Sequence, residues 1–190
     1  MAKTDAIIGI YDHWGWAVAV AATGAGHAVD RRRLELIAPG LPKYPYHHDA
    51  QGLPLEEAER MVAAVETSVL AHAQAAFAEI GEVLRGKVQG IALRKCPRLP
   101  ATLEQRLADY FARNNADSVL YRQAIAKAAT ARGWRVHWYA SNSVFTEMQT
   151  LLQCDDLDAF FAAAKQQLGT PWTKEHKIAL AAAIAATGRR

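Results

Sequence analysis

An acid at the exit of an apolar segment is the clearest chemical signal in the chain. Asp12 ends Ile7-Ile8-Gly9-Ile10-Tyr11-Asp12 and runs straight into His13-Trp14-Gly15-Trp16-Ala17-Val18-Ala19-Val20. Side chains alternate along a strand, so Ile8, Ile10 and Asp12 share one face and the carboxylate arrives at the strand's open end. Two-metal phosphodiester hydrolysis needs three or four carboxylates converging on one point, holding Mg²⁺ or Mn²⁺ ions ~3.5–4 Å apart. These hard cations take oxygen ligands, which Asp12 can supply. The plainer reading is that Asp12 caps the turn behind it.

Positive charge is clustered at Arg31-Arg32-Arg33, at Arg94-Lys95 with Arg98, and at Arg189-Arg190. Each cluster either meets phosphate or is ordinary solvated surface. His13, His47, His48, His137 and His176 add groups that can ligate or carry protons. His47-His48-Asp49 has the right types for a ligand cluster, but adjacent histidines in an extended loop point apart, so a structural or solvent-facing role is expected. Trp16 and Trp138 alternate with apolar neighbours and are expected in the core. Trp14, in the turn, and Trp172 can line a shared cleft, where base stacking is the functional reading of an aromatic wall. For Trp172, packing at the last helix is the expected role. Cys96 and Cys154 lie far apart and outside any CxxC pattern, so both are expected as reduced thiols.

These groups must be positioned by a mixed set of elements. Residues 6–12, 15–22 and 27–37 read as three strands, with Thr23-Gly24-Ala25-Gly26 as a hairpin turn. A polar loop over 39–54 carries Tyr44, Tyr46, His47, His48 and Asp49. A long helix is expected from Leu55 to about Leu84, with Glu56, Glu57 and Glu59 in its first turns and Gly81 and Gly86 marking its end. Val88-Gln89-Gly90-Ile91-Ala92-Leu93 then reads as a buried strand reached by a right-handed crossover. Helices are expected over 102–113 and from Asp117 or Ser118 to Ala131, separated at Asn114-Asn115. Residues 135–139 form a fifth strand. From 143 to 187 the pattern is helical, broken at 154–156 and 169–171, and Thr173 caps the last helix.

Size and composition set the frame. With 190 residues, 51% apolar and 22% charged, the chain suits one domain spanning 1–190 with a core needing no disulfide or structural metal. A net charge of +3 permits nucleic-acid contact without requiring it. No uninterrupted apolar run approaches the ~20 residues of a membrane span, so no membrane partner is expected. Met1-Ala2-Lys3-Thr4-Asp5 lacks the order of a secretory signal, and a cytoplasmic location is expected.

The order of elements resembles the ribonuclease-H-like superfamily, and particularly its RuvC-type Holliday junction resolvase branch, over essentially the whole chain. Two segments carry the likeness. Gly9-Ile10-Tyr11-Asp12-His13-Trp14-Gly15-Trp16-Ala17-Val18 is similar to the resolvases' opening strand, catalytic Asp, turn and Gly-Trp-led second strand. Tyr121-Arg122-Gln123-Ala124-Ile125 through Ala131-Arg132-Gly133-Trp134-Arg135-Val136-His137-Trp138-Tyr139, with Glu175-His176-Lys177-Ile178-Ala179-Leu180-Ala181-Ala182-Ala183-Ile184, supplies the second. The resemblance implies an α/β fold: a five-stranded mixed sheet in the order 3-2-1-4-5, three antiparallel strands first, flanked by helices, with a helical C-terminal region. It also implies a Mg or Mn site built from Asp12, Glu59 and Glu175. Glu59-Arg60-Met61-Val62-Ala63-Ala64 is similar to a ribonuclease HI helix whose Glu would point under Asp12, and Glu175 stands one turn before the Ala-Leu-Ala run, where Ile178 replaces the family's last Asp. Arg94, Lys95, Trp14 and His176 are the substrate-contacting candidates.

One departure weighs on catalysis. The fourth strand ends in Leu93-Arg94-Lys95 where the family places an acid, and a cation there repels metal ions, neutralises an acid pair or meets a phosphate directly. The expectations are therefore a divergent metal-dependent nuclease acting on structured DNA or RNA or, alternatively, a binding or interaction module with a degenerate site. A third reading has the alanine-rich C-terminal helices presented to a partner or to a second copy as a homodimer. No P-loop, GxGxxG, GxSxG or HExxH motif supports another enzyme class.

Overall fold

The computed structural model describes residues 5–85 and 87–188. Gly86 and the Arg189-Arg190 cluster lie outside the described residues, as do residues 1–4. The strands are β1 (Ala6–Asp12), β2 (Trp16–Thr23), β3 (Ala28–Glu35), β4 (Val88–Arg94) and β5 (Arg135–Tyr139). They form one sheet in the order β3-β2-β1-β4-β5, as the resemblance implied. β1 pairs antiparallel with β2 and parallel with β4, opposing Ile10 to Ala19 and Ile8 to Ile91. β4 and β5 are parallel, so the ends of β1, β4 and β5 open on the same edge.

The helices are α1 (Leu55–Val83), α2 (Leu103–Ala108), α3 (Tyr110–Ala131), α4 (Val144–Leu152), α5 (Leu157–Leu168) and α6 (Lys174–Thr187). α1 and α3 cover the sheet face that carries Ile8, Ile10, Ala19, Ile91 and Leu93. The stripe Ala58, Val62, Val65, Val69, Ala73, Phe77 and Ile80 is buried, which is the 3.6-residue periodicity realised as one core-facing side. α1 is the single described helix long and apolar enough to cross a membrane, but that apolar stripe is spent on the core.

α6 covers the opposite face with α4 and α5, on Ile7, Val18, Val20 and Ala92. Gly9 sits under it: a Cβ there would lie 1.7 Å from the Ala179 carbonyl oxygen. This contact explains the small residues of both segments, because only glycine against an alanine-rich helix lets backbone approach backbone. It also keeps α6 from being offered to a partner: residues 176 and 178–186 are buried within the chain itself.

The expected break at Asn114-Asn115 is absent. α3 starts at Tyr110 instead of Asp117 or Ser118, because the Asp109 carboxylate accepts from Ala112 N at 2.6 Å and caps it. Asn115 instead donates from Nδ2 to the Phe111 carbonyl along the helix. The polar loop over 39–54 also has structure. Residues Pro45–Asp49 make one π-helical turn, and Tyr46 is buried. Asp117 of α3, itself buried, accepts from the backbone N of Tyr46 at 2.9 Å and of His47 at 3.1 Å.

Candidate functional site

The β1 alternation puts the Asp12 side chain on the Ile8–Ile10 face, beneath α3, and buries it to 5% exposure. A lone buried carboxylate is costly, and here its charge is answered by cations. Arg122 of α3 donates from Nε to Asp12 Oδ2 at 2.9 Å, and Arg94 at the end of β4 donates from Nη2 to the same oxygen at 3.3 Å. Arg122 also donates from Nη1 to the Lys95 carbonyl at 3.3 Å. It is thereby fixed to the ends of both β1 and β4. Burial disfavours its charge, but the Asp12 charge, the hydrogen bond to it and contact with Cys96 leave the Arg122 pKa raised.

A cavity of about 770 Å³ opens above this group, lined by Asp12, Trp14, Arg94, Lys95, Asn114 and Arg122 among others. Its lining charges are three cations against one carboxylate. Asp12 Oδ1 is buried and has no hydrogen-bond partner among the described residues. The Arg94 guanidinium also lies over the Tyr11 ring at 5.4 Å, which keeps it at the mouth of the strand. Tyr139 donates to the Ile10 carbonyl at 3.2 Å, and burial, then the Asp12 charge, push its hydroxyl pKa up. Burial likewise raises the Cys96 thiol, which favours the neutral form in this cationic setting.

The three carboxylates implied by the resemblance are not brought together. Glu59 lies off the buried stripe of α1 and is exposed. Glu175 stands in the first turn of α6 and is not among the described residues that bond to Asp12. Its pKa is lowered by hydrogen bonds from Thr173 and its own backbone N–H, and it shares with Asp12 only an influence on His13. Among the described residues no group of three His, Cys, Asp or Glu side chains is placed to hold a metal ion. The donor set at Asp12 does not fit a two-metal centre either, since both neighbours on its bound oxygen are guanidinium groups. The described side chains thus show no Mg or Mn site around Asp12.

The remaining candidates divide. Arg94, Lys95 and Trp14 line the cavity. His176 is buried at the start of α6, where its Nδ1 accepts from Thr173 N at 3.2 Å; burial lowers its pKa. It completes a cap. Trp172 stacks on that imidazole at 5.7 Å, in the packing role expected of it. Trp16 is only half-buried, sandwiched between His13 at 3.9 Å and the Arg33 guanidinium at 3.8 Å. The Arg31-Arg32-Arg33 cluster is engaged by groups of the chain itself. Arg31 donates to the carbonyls of Pro171 and Thr170 at 3.0 and 2.9 Å, and Arg32 and Arg33 pair with Asp30 and Glu35.

Arg122 was not singled out for function in the sequence. The signal that marks it is a charge inside an apolar stripe: Ala116, Leu120, Tyr121, Ala124, Ile125 and Ala128 are buried around it, as they are around Asp117. A charge in such a stripe requires a partner on the facing element.

No protein-family model and no curated protein sequence matches the chain. Two solved structures from Thermus thermophilus do resemble it. One is RuvC in complex with a Holliday junction substrate, with TM-score 0.51 and 12% identity over 97% of this chain and 94% of that one. The other is the RuvC structure itself, with TM-score 0.52 and 12% identity over 97% and 95%. The fold is RuvC-like. It is the ribonuclease-H-like architecture that the opening strand and the element order implied, and at this identity the likeness speaks for the fold alone. Within that RuvC-like fold the end of β1 still carries an acid, but an acid enclosed by arginines.

Proposed function

We propose that this chain is a nucleic-acid-binding protein on a ribonuclease-H-like fold, gripping phosphate with fixed cations in place of metal ions. The observation that carries the reading is the pairing of Asp12 with Arg122 and Arg94 at 2.9 and 3.3 Å. Asp12 acts as the anchor that holds two guanidinium groups at the rim of the sheet. With Lys95 beside them, the cavity keeps a positive excess after Asp12 is neutralised. Arg and Lys contacts to phosphate are charge-assisted and strong, and they make binding fall steeply with salt. That a structure of the same fold holds a four-way junction supports nucleic acid as the ligand class.

Anisotropy of a labelled oligonucleotide, titrated over a salt series in EDTA, tests this. Binding is expected to persist without divalent ions. Lys95→Ala should lower the slope of log K against log salt by about one. A slope unchanged by Lys95→Ala, or no binding in EDTA, would remove the reading.

A second reading, a divalent-metal-dependent nuclease, is favoured by one observation: Asp12 Oδ1 is buried and unpartnered, as a ligand oxygen would be. It requires Arg122 and Arg94 to leave Asp12 as the ion enters. Cleavage that depends on Mn²⁺ and is lost in Asp12→Asn is its signature.

A further inference from the structure

The cavity lining combines two chemically distinct groups. Arg94, Lys95 and Arg122 stand at the ends of β4 and in α3, while Trp14 stands in the β1–β2 turn. Trp14 is 41% exposed, although the turn that carries it adjoins two buried strands. Its indole is held from outside the cavity by Tyr44, at 5.1 Å between ring centroids, and Tyr44 in turn meets His48 edge-on at 5.6 Å. The loop bearing Tyr44 is pinned to α3 through Asp117. Trp14 is therefore a supported aromatic wall and not a loose surface residue. To the same lining α3 contributes Asn114 and Ser118, whose side chains have no hydrogen-bond partner among the described residues. Asp12 Oδ1, buried and unpartnered, is one further open acceptor.

Cations, open polar groups and an aromatic ring lining one cavity of about 770 Å³ match the three parts of a nucleotide. Resting on the nucleic-acid reading above, we propose that the cavity takes one unpaired nucleotide, its phosphate on Arg94, Lys95 and Arg122 and its base against Trp14. A paired base in a duplex is stacked on both faces and must leave the stack before it can lie on a protein ring. The preferred ligand is accordingly a single strand, or a duplex with an unpaired position.

The test is anisotropy in EDTA with three labelled ligands of one sequence: single-stranded, fully paired, and paired around a one-nucleotide gap opposite an unpaired base. The single strand and the gapped duplex should bind about tenfold or more above the full duplex. Trp14→Ala should weaken single-strand binding by about tenfold while leaving the full duplex unchanged, and Trp14→Phe should keep most of the affinity. Urea midpoints equal to wild type show that these exposed-turn variants are folded. Equal affinity for all three ligands, or a Trp14→Ala protein that binds the single strand like wild type, overturns the proposal. If Lys95→Ala still lowers the salt slope in that case, the phosphate reading stands and only the nucleotide site falls. Absence of any binding in EDTA overturns both.

Discussion

Replacing Arg122 by Met removes one partner of the Asp12 pair while keeping a long apolar stem in the α3 position. Asp12 would then retain only Arg94, at 3.3 Å and with a side chain 31% exposed, against a carboxylate whose own side chain is 3% exposed. Breaking a buried pair by deleting one member costs about 3–5 kcal/mol, because the remaining charge is left underpaired in a low-dielectric site. For a chain of this size that is a fall in Tm of roughly 6–20 °C. Asp12→Asn alone should also destabilise, since it leaves the Arg122 guanidinium, 5% exposed, facing a neutral amide. The Asp12→Asn, Arg122→Met double variant removes both charges and should recover most of the loss, giving a coupling energy of about 2 kcal/mol or more. Urea unfolding followed by circular dichroism, with the m-value checked for constancy, reads all four corners of the cycle. A cycle that closes to zero coupling, or an Arg122→Met protein as stable as wild type, would refute the claim that Asp12 exists to anchor a guanidinium.

Two other perturbations probe the frame around the site. Gly9→Ala places a Cβ 1.7 Å from the Ala179 carbonyl oxygen, so α6 must lift from the sheet; a loss of roughly 3 kcal/mol or more in urea unfolding is expected. Burial pushes the Asp117 carboxyl up to about 6, against the lowering effect of the two amides it accepts from. Its folded value therefore lies above the unfolded one, and the folded state holds more protons between them. This group's contribution is full below about pH 4 and is lost as pH rises through about 6, up to roughly 2–3 kcal/mol. Asp117→Asn should flatten that stretch of the stability–pH curve, and an unchanged curve would contradict the assignment.

The sheet order was readable because it depends on local periodicity: short apolar segments separated by glycine turns, then a long 3.6-residue stripe, then two more strands. Asp12 was readable for the same reason, as a polar residue in phase with Ile8 and Ile10. Its partners were not. Glu59 and Glu175 were assigned by position along similar helices, yet the rotation of α1 turns Glu59 to solvent, and Glu175 is engaged by Thr173 and its own backbone N–H in the first turn of α6. Whether a helix residue reaches a strand end depends on interelement rotation, which a single sequence does not specify. Arg94 was visible as a charge out of place at the end of β4. Arg122 became meaningful only once α3 was known to lie over Asp12. The misplaced start of α3 has a smaller cause: Asn114-Asn115 has the composition of a turn, but the Asp109 cap had already begun the helix.

The most direct test of an arginine-held site is one titration performed twice. A labelled single strand is titrated with the wild-type protein in EDTA and again in excess Mn²⁺, reading anisotropy and then strand integrity on a denaturing gel. Fixed cations at Asp12 predict superimposable binding curves, apart from a small ionic-strength effect, and an intact strand in both. Cleavage that appears only with Mn²⁺ and vanishes in Asp12→Asn would contradict the arginine-held site and establish Asp12 as a metal ligand.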